Sequence, residues 1–129
     1  MSIDKHLINT LSDRAWEIRD RASIKGSTKV GSSIYSGGEF FTGCNAEHFL
    51  RSHDIHAEVN AIGNMISSGF YSFDLILVVA ERDRFTPCGA CMDWIIQFGG
   101  KDCLVGFQSE PKGEIFWKKA KELMPYYPY

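Results

Sequence analysis

The sequence lacks the long apolar run that a membrane helix needs. No stretch approaches the ~20 consecutive apolar residues required to cross a bilayer, and the first residues, MSIDKHLINTL, contain no basic segment leading into an apolar one. Neither a membrane helix nor a secretory leader is therefore predicted. We expect a cytoplasmic protein with no membrane partner.

An excess of positive charge is also missing. The 14 lysines and arginines are outnumbered by 16 aspartates and glutamates, which gives a formal net charge of -2 and a sequence pI near 6.1. A protein that binds nucleic acid through its phosphates needs a basic surface. The charge balance argues against a nucleic-acid partner and favours a small-molecule substrate.

Linkers, internal repeats and low-complexity segments are absent as well. The 129 residues are therefore expected to form one domain, spanning 1–129. Cysteine is scarce, with only Cys44, Cys88, Cys91 and Cys103. In a reducing compartment a Cys-x-x-Cys pair beside a histidine motif indicates a metal or redox site more often than a disulfide.

Hydrophobic periodicity divides the chain into alternating helices and strands in the order α-β-β-α-β-α-β-α. The predicted segments are a helix over 4–22, hairpin strands over 29–35 and 39–43, a helix over 57–67, a strand over 75–80, a helix over 88–98, a strand over 103–107 and a helix over 113–124. Asp4 is the expected N-cap of the first helix, and Gly69 the expected end of the second. This order predicts a sheet between layers of helices, with a hairpin followed by right-handed crossovers.

The most informative motif joins His56-Ala57-Glu58 to Pro87-Cys88-Gly89-Ala90-Cys91 across one predicted strand. An imidazole and two thiolates are good zinc ligands, and they leave the fourth tetrahedral position for water, as in a catalytic site. The three side chains lie at the starts of predicted helices, where the helix dipole stabilises a thiolate. The motif predicts one Zn2+ per subunit, held by His56, Cys88 and Cys91.

Glu58 follows the predicted histidine ligand by two positions. A carboxylate there can reach a water on the metal without ligating the metal itself. It can accept a proton from that water and later donate protons to a ring nitrogen and a leaving amine. His-x-Glu with Pro-Cys-x-x-Cys is the signature of zinc deaminases, so Glu58 is predicted to be the catalytic residue.

Through these motifs the chain from about Val30 onward resembles the cytidine deaminase superfamily. The resemblance implies an α/β fold, a three-layer α/β/α sandwich around a five-stranded mixed sheet. The run from Phe41 to Glu47, FTGCNAE, resembles the strand and loop with which nucleoside deaminases grip ribose. By that resemblance Asn45 and Glu47 bind the sugar hydroxyls of a nucleoside substrate.

The end of the chain resembles the family's end, in which an aromatic residue can cover the active site of a neighbouring subunit. Tyr127 or Tyr129 would take that part. Family members of this length are usually homotetramers, so the resemblance implies a homotetramer or a homodimer. Anchoring of the tail on its own chain is the alternative for these tyrosines.

Two further features of the sequence bear on the substrate. Thr28 stands where the family usually has an aromatic that packs against the base, and the Asn45–Phe49 run shares its asparagine and its His48-Phe49 pair with blasticidin S deaminase-like sequences. Hydrolytic deamination of cytidine and deoxycytidine is predicted. Blasticidin S, or another modified cytosine nucleoside, is the alternative substrate.

Four other functions share parts of the motif. A deaminase of free bases or of deoxycytidylate would keep the metal residues, but the second would need a phosphate site, and no Gly-rich anion loop is present. A deaminase of tRNA or single-stranded DNA would need a basic groove. A zinc-stabilised binding module would need a fourth ligand, Cys44 or Cys103, and would leave Glu58 without a role.

Overall fold

Helices and strands alternate along the computed structural model, which describes residues 4–83 and 85–129. Within this part of the chain there are four α-helices and five strands, with a short 3-10 turn at Arg51–His53. Their bounds are α1 Lys5–Arg19, β1 Val30–Ser36, β2 Glu39–Cys44, α2 Ala57–Ser67, β3 Leu75–Ala80, α3 Gly89–Gly99, β4 Leu104–Gln108, β5 Ile115–Lys119 and α4 Ala120–Leu123.

The strands form one mixed sheet in the order β2-β1-β3-β4-β5. Strands β3 and β4 are parallel, and the other neighbouring pairs are antiparallel. The register of β1 on β3 places Val30 opposite Ala80. The five-stranded mixed sheet implied by the family resemblance is confirmed.

Two apolar clusters cover the two faces of the sheet. Successive side chains of a strand point to opposite faces, and accordingly Leu75 and Leu77 of β3 pack with α1, whereas Ile76 packs with α2 and α3. All six residues of β3 are buried. The predicted three-layer α/β/α sandwich is confirmed.

The helix ends have the caps that the sequence indicates. The Asp4 carboxylate accepts a hydrogen bond from the backbone N–H of His6 at 3.1 Å, which satisfies a free donor of the first turn of α1. Gly69 follows the end of α2 with φ +87°, a left-handed conformation that favours glycine. Both predicted caps are confirmed.

The predicted helix over 113–124 is wrong for most of its length. Residues Ile115–Lys119 form β5, an edge strand antiparallel to β4, and only Ala120–Leu123 is helical. Ile115 and Trp117 pack on the α1 side of the sheet, which is a period of two along the chain. Without β5, strand β4 would lie at the edge of the sheet with unpaired backbone groups, and pairing with β5 satisfies them. Tertiary context therefore overrides the helical pattern.

Helix α2 lies directly on strand β2 at Gly43. A Cβ atom at this position would be 2.3 Å from the backbone nitrogen of Ala61 and 2.8 Å from the carbonyl oxygen of Ala57. Only glycine allows so close an approach of helix and strand. The contact fixes the start of α2 beside the end of β2.

In the part of the chain that the structure describes, no helix has the length and apolar character needed to cross a membrane.

Candidate active site

The ends of three elements meet at the carboxyl end of β3, the middle strand of the sheet. Strand β3 ends at Ala80, and helices α2 and α3 begin nearby with His56 and Cys88 as their N-cap residues. Both caps have extended backbones, with ψ of 153° and 169°. The positive ends of two helix dipoles therefore lie at the same place.

The three predicted metal ligands form one cluster. The ligand atoms of His56, Cys88 and Cys91 all lie within 4.8 Å of one another. His56 Nδ1 is 3.3 Å from Cys91 Sγ and 3.4 Å from Cys88 Sγ. Zinc bonds of about 2.0–2.3 Å at tetrahedral angles place neighbouring ligand atoms roughly 3.5 Å apart, so these spacings fit one shared ion.

The electrostatics of the cluster also favour a cation. The pKa of Cys91 is raised, chiefly because the thiol is buried, and the negative charges of Glu58 and Cys88 add to the effect. A thiolate in this position needs a compensating positive charge. Two thiolates and a neutral imidazole balance the charge of Zn2+, and zinc is the cofactor that this donor set fits.

Glu58 lies one residue into α2 and is only 5% exposed. Burial raises the pKa of its carboxyl group, while its own backbone N–H, nearby His56 and the thiol of Cys91 oppose that rise. A carboxyl group with a raised pKa exchanges protons closer to neutral pH than an exposed one. Its placement beside the ligand cluster suits a proton acceptor and donor.

A cavity of about 230 Å³ opens beside the cluster. Val30 of β1 and Val78 and Ala80 of β3 supply its aliphatic wall. The remaining lining residues are Thr28, Asn45, Glu47, Arg51, Asp54, Ile55, His56, Ala57, Glu58, Arg82, Phe85, Thr86 and Cys88. The structure thus brings all six predicted site residues together, with Cys91 joining the cavity through the ligand cluster.

The loop between β2 and α2 is closed on itself at its base. Ala46 and Ile55 exchange backbone hydrogen bonds of 2.9 and 2.8 Å. This bridge brings the residue that precedes it, Asn45, and the residue that follows it, His56, to the same cavity.

Asn45 is buried and its amide is already hydrogen-bonded. Its Oδ1 accepts from the backbone N–H of Val30 at 2.9 Å, and its Nδ2 donates to the carbonyl oxygen of Thr28 at 3.0 Å. The side chain therefore fixes the segment that leads into β1. One amide hydrogen and one lone pair of Oδ1 remain for a ligand.

Glu47 is held by both of its oxygens. Oε1 accepts from the backbone N–H groups of Lys25 and Gly26 at 2.6 and 2.7 Å, and Oε2 pairs with Arg51 at 2.8 Å. The backbone hydrogen bonds lower the pKa of Glu47. Arg51 also pairs with Asp54 at 2.8 Å, so the 47–54 loop carries an ordered carboxylate–guanidinium–carboxylate network.

Sequence reasoning missed Arg51 and Asp54. Arg51 is four positions from Glu47 and three from Asp54. These are the spacings of charged pairs on one helical turn, and they were the available indication in the sequence. The residues of the loop between β3 and α3, Arg82, Phe85 and Thr86, were missed too, because a loop side chain carries no periodic pattern.

His48 and the C-terminal tyrosines have local partners. The ring of His48 accepts a hydrogen bond from the backbone N–H of Leu50 at 2.9 Å. The hydroxyl of Tyr127 hydrogen-bonds to Asp93 of α3, and the ring of Tyr129 contacts that of Tyr127 at 5.9 Å between centroids. In this chain Tyr127 anchors the tail to α3.

A His-Cys-Cys cluster with an adjacent buried carboxyl group, on this three-layer fold, defines a zinc-dependent deaminase. The model of the cytidine and deoxycytidylate deaminase zinc-binding region matches residues 5–107. The chain belongs to this family.

Individual relatives agree with this assignment. A probable cytidine deaminase of Dictyostelium discoideum is 32% identical in an alignment of length 100 that covers 75% of this chain and 66% of the relative. A cytidine deaminase of Sporosarcina psychrophila is 32% identical in an alignment of length 98 that covers 74% of this chain and 71% of the relative. The crystal structure of cytidine deaminase from Burkholderia pseudomallei superposes with a TM-score of 0.84 at 27% identity, covering 96% of this chain and 98% of that one.

Proposed function

We propose that this protein deaminates cytosine nucleosides, converting cytidine and deoxycytidine to uridine and deoxyuridine. One water adds to C4 of the base, and the exocyclic amine leaves as ammonia. The observation that carries the proposal is the buried Glu58 beside the His56-Cys88-Cys91 cluster, in one cavity with Asn45 and Glu47. The relatives named cytidine deaminase support the choice of base.

Zinc held by His56, Cys88 and Cys91 would supply a Lewis acid that makes water a nucleophile near neutral pH. Glu58 accepts the proton of the attacking water. The same carboxyl group donates that proton to N3 of the ring, then accepts the remaining proton of the hydroxyl group now on C4 and donates it to the departing amine. Both protons therefore come from the water, and Glu58 ends in its starting state. Its raised pKa suits both directions of transfer.

Asn45 and Glu47 are proposed to bind the sugar. Both side chains line the cavity, and their existing hydrogen bonds hold them still. A side chain that is fixed before binding loses little conformational entropy when a ligand arrives. The remaining lone pairs of Glu47 and the free amide hydrogen of Asn45 can then pair with hydroxyl groups of ribose or deoxyribose.

A modified cytosine nucleoside, such as blasticidin S, is the second candidate substrate. Thr28 lines the cavity, so no aromatic ring stands at that part of the wall. The cavity also adjoins an apolar groove, with which it shares Phe85 and Thr86. A nucleoside that carries a larger substituent than cytidine has room on the side of Phe85 and Thr86.

We further propose a cytoplasmic homotetramer or homodimer. Phe49, Leu50, Ile55 and Trp94 are large apolar side chains exposed by 42 to 87%, and Ile55 and Trp94 adjoin the ligand cluster. Exposed apolar patches of this kind favour association. Light scattering that gives the mass of a single 14.6 kDa chain would refute the assembly.

The four cysteines are all free, as suits a reducing compartment.

The test of the substrate is ammonia release from cytidine, deoxycytidine, blasticidin S, cytosine, deoxycytidylate, guanine and adenosine. We expect turnover of cytidine and deoxycytidine, with cytosine at least tenfold poorer in kcat/KM because it lacks the sugar contacts of Asn45 and Glu47. Turnover of blasticidin S in preference to cytidine would select the second candidate. Turnover of a free base alone would contradict the sugar-binding role.

A further inference from the structure

Phe85 brings an aromatic ring to the cavity from the loop between β3 and α3. It is half-buried and lines the same cavity as Glu58 and Cys88. Among the lining residues in the described ranges 4–83 and 85–129 it is the one phenylalanine, tyrosine or tryptophan. The sequence motifs assign it no role.

Neighbouring aromatic rings hold Phe85 in place. Its ring contacts Phe107 of β4 at 5.9 Å between centroids with an interplanar angle of 58°. Phe107 in turn stacks on Phe116 of β5 at 5.6 Å and 21°. Tilted and offset contacts of this kind stabilise aromatic pairs beyond their apolar burial. A ring on a loop is thereby fixed to the sheet.

Apart from the imidazole of His56, which belongs to the ligand cluster, the rest of the described cavity wall offers no ring on which a flat heterocycle can stack. Val30, Val78 and Ala80 are aliphatic, and Thr28 adds only a methyl and a hydroxyl group. The reacting carbon must be held in one orientation beside Glu58, since misplacement by about 1 Å can reduce the rate about 100-fold. A π-face in the cavity wall would hold a planar base in that orientation.

We propose that Phe85 stacks on the cytosine base and is a specificity-determining binding residue for planar heteroaromatic substrates. The inference rests on the proposed function and extends it to the residue that recognises the ring. Phe107 and Phe116 are positioning residues in this arrangement, with Phe107 in contact with Phe85 and Phe116 one ring further away.

The first test compares Phe85→Leu, Phe85→Tyr and the control Tyr71→Leu with the parent protein, using cytidine. One base–aromatic stack corresponds to roughly 5- to 150-fold in affinity. We expect Phe85→Leu to raise KM about tenfold or more, with a smaller change in kcat. Phe85→Tyr keeps the ring and should stay within about threefold of the parent KM. Tyr71→Leu removes an exposed ring that does not line the cavity and should leave KM unchanged.

A second measurement isolates stacking from shape. Uridine, the product, has a planar aromatic base, whereas 5,6-dihydrouridine has a puckered, saturated one. Phe85→Leu should weaken inhibition by uridine about tenfold and inhibition by dihydrouridine by less than about threefold. Thermal unfolding of each variant checks that the fold is retained.

The outcomes separate this inference from the proposed function. If the parent protein turns over cytidine and Phe85→Leu has the parent KM, or if both inhibitors weaken equally, stacking by Phe85 is overturned while the deaminase function stands. If the parent protein releases no ammonia from any cytosine nucleoside, the proposed function itself fails, and the inference fails with it.

Discussion

Replacing Glu58 with glutamine is expected to lower kcat for cytidine by roughly 10²–10⁴-fold or more, because the amide cannot accept a proton from water. The amide matches the carboxyl group in shape, so the packing at the start of α2 should survive. Ammonia release gives the rate, and elemental analysis gives the metal content. We expect the variant to retain one zinc per chain, because Glu58 is not among the clustered ligands.

The matched control is Glu47→Gln, which changes the other carboxylate of the cavity wall. Glu47 is held by two backbone N–H groups and by Arg51, and its proposed partner is the sugar. Its loss should therefore raise KM more than it lowers kcat. Substantial turnover by Glu58→Gln, or equal losses of kcat in the two variants, would contradict the assignment of Glu58 as the proton carrier.

Glu58→Gln should also change how the stability of the metal-free protein depends on pH. The pKa of Glu58 is raised in the folded state, so between the unfolded and folded pKa values the folded chain binds more protons than the unfolded chain. Stability must then fall as pH rises through this window. In Glu58→Gln this contribution to the pH dependence should be absent.

Replacing Cys91 with serine is expected to abolish zinc binding and reduce turnover to background. Serine is a poor zinc ligand compared with a thiolate, and the two ligands left would be His56 and Cys88. Zinc that binds the folded chain stabilises it, by about 2.7 kcal/mol at a free concentration 100 times the dissociation constant. The thermal midpoint of Cys91→Ser should accordingly be low and insensitive to a chelator, whereas a chelator should lower that of the parent protein.

Cys103→Ser provides the control for this experiment. Cys103 is also buried, and burial raises its pKa to about 12, so both variants place a hydroxyl group at a buried position. Cys103 is not part of the ligand cluster. If Cys103→Ser lost zinc to the same degree as Cys91→Ser, the loss would reflect general destabilisation and the three-ligand site would be refuted.

The ligand cluster could be predicted from the sequence because each of its two halves is a local motif at the start of a helix. His56, Cys88 and Cys91 lie within one turn of the start of a helix, and capping residues and apolar spacing locate helix starts well. Strand β3 could be predicted because it is continuously apolar. These elements place the ligands, so the motif and the fold led to the same site.

Other parts of the molecule depend on contacts between distant residues. Strand β5 exists because β4 offers it a partner, and neither its composition nor its length distinguished it from a helix. The ring of Phe85 is held by Phe107, which is 22 positions away in the chain. The proposed roles of Asn45, Glu47 and Glu58 remain predictions.

The separation of His56 and Cys88 along the chain, 32 positions, has a consequence for biosynthesis. In a newly made chain His56 lies apart from the Cys88-x-x-Cys91 pair until β3 has paired and both helices have packed. Tight metal capture is therefore a late event that distinguishes finished molecules from incomplete ones. Under zinc starvation, finished molecules would lose this stabilisation and be degraded faster, so the cellular amount of this enzyme should follow the supply of its metal.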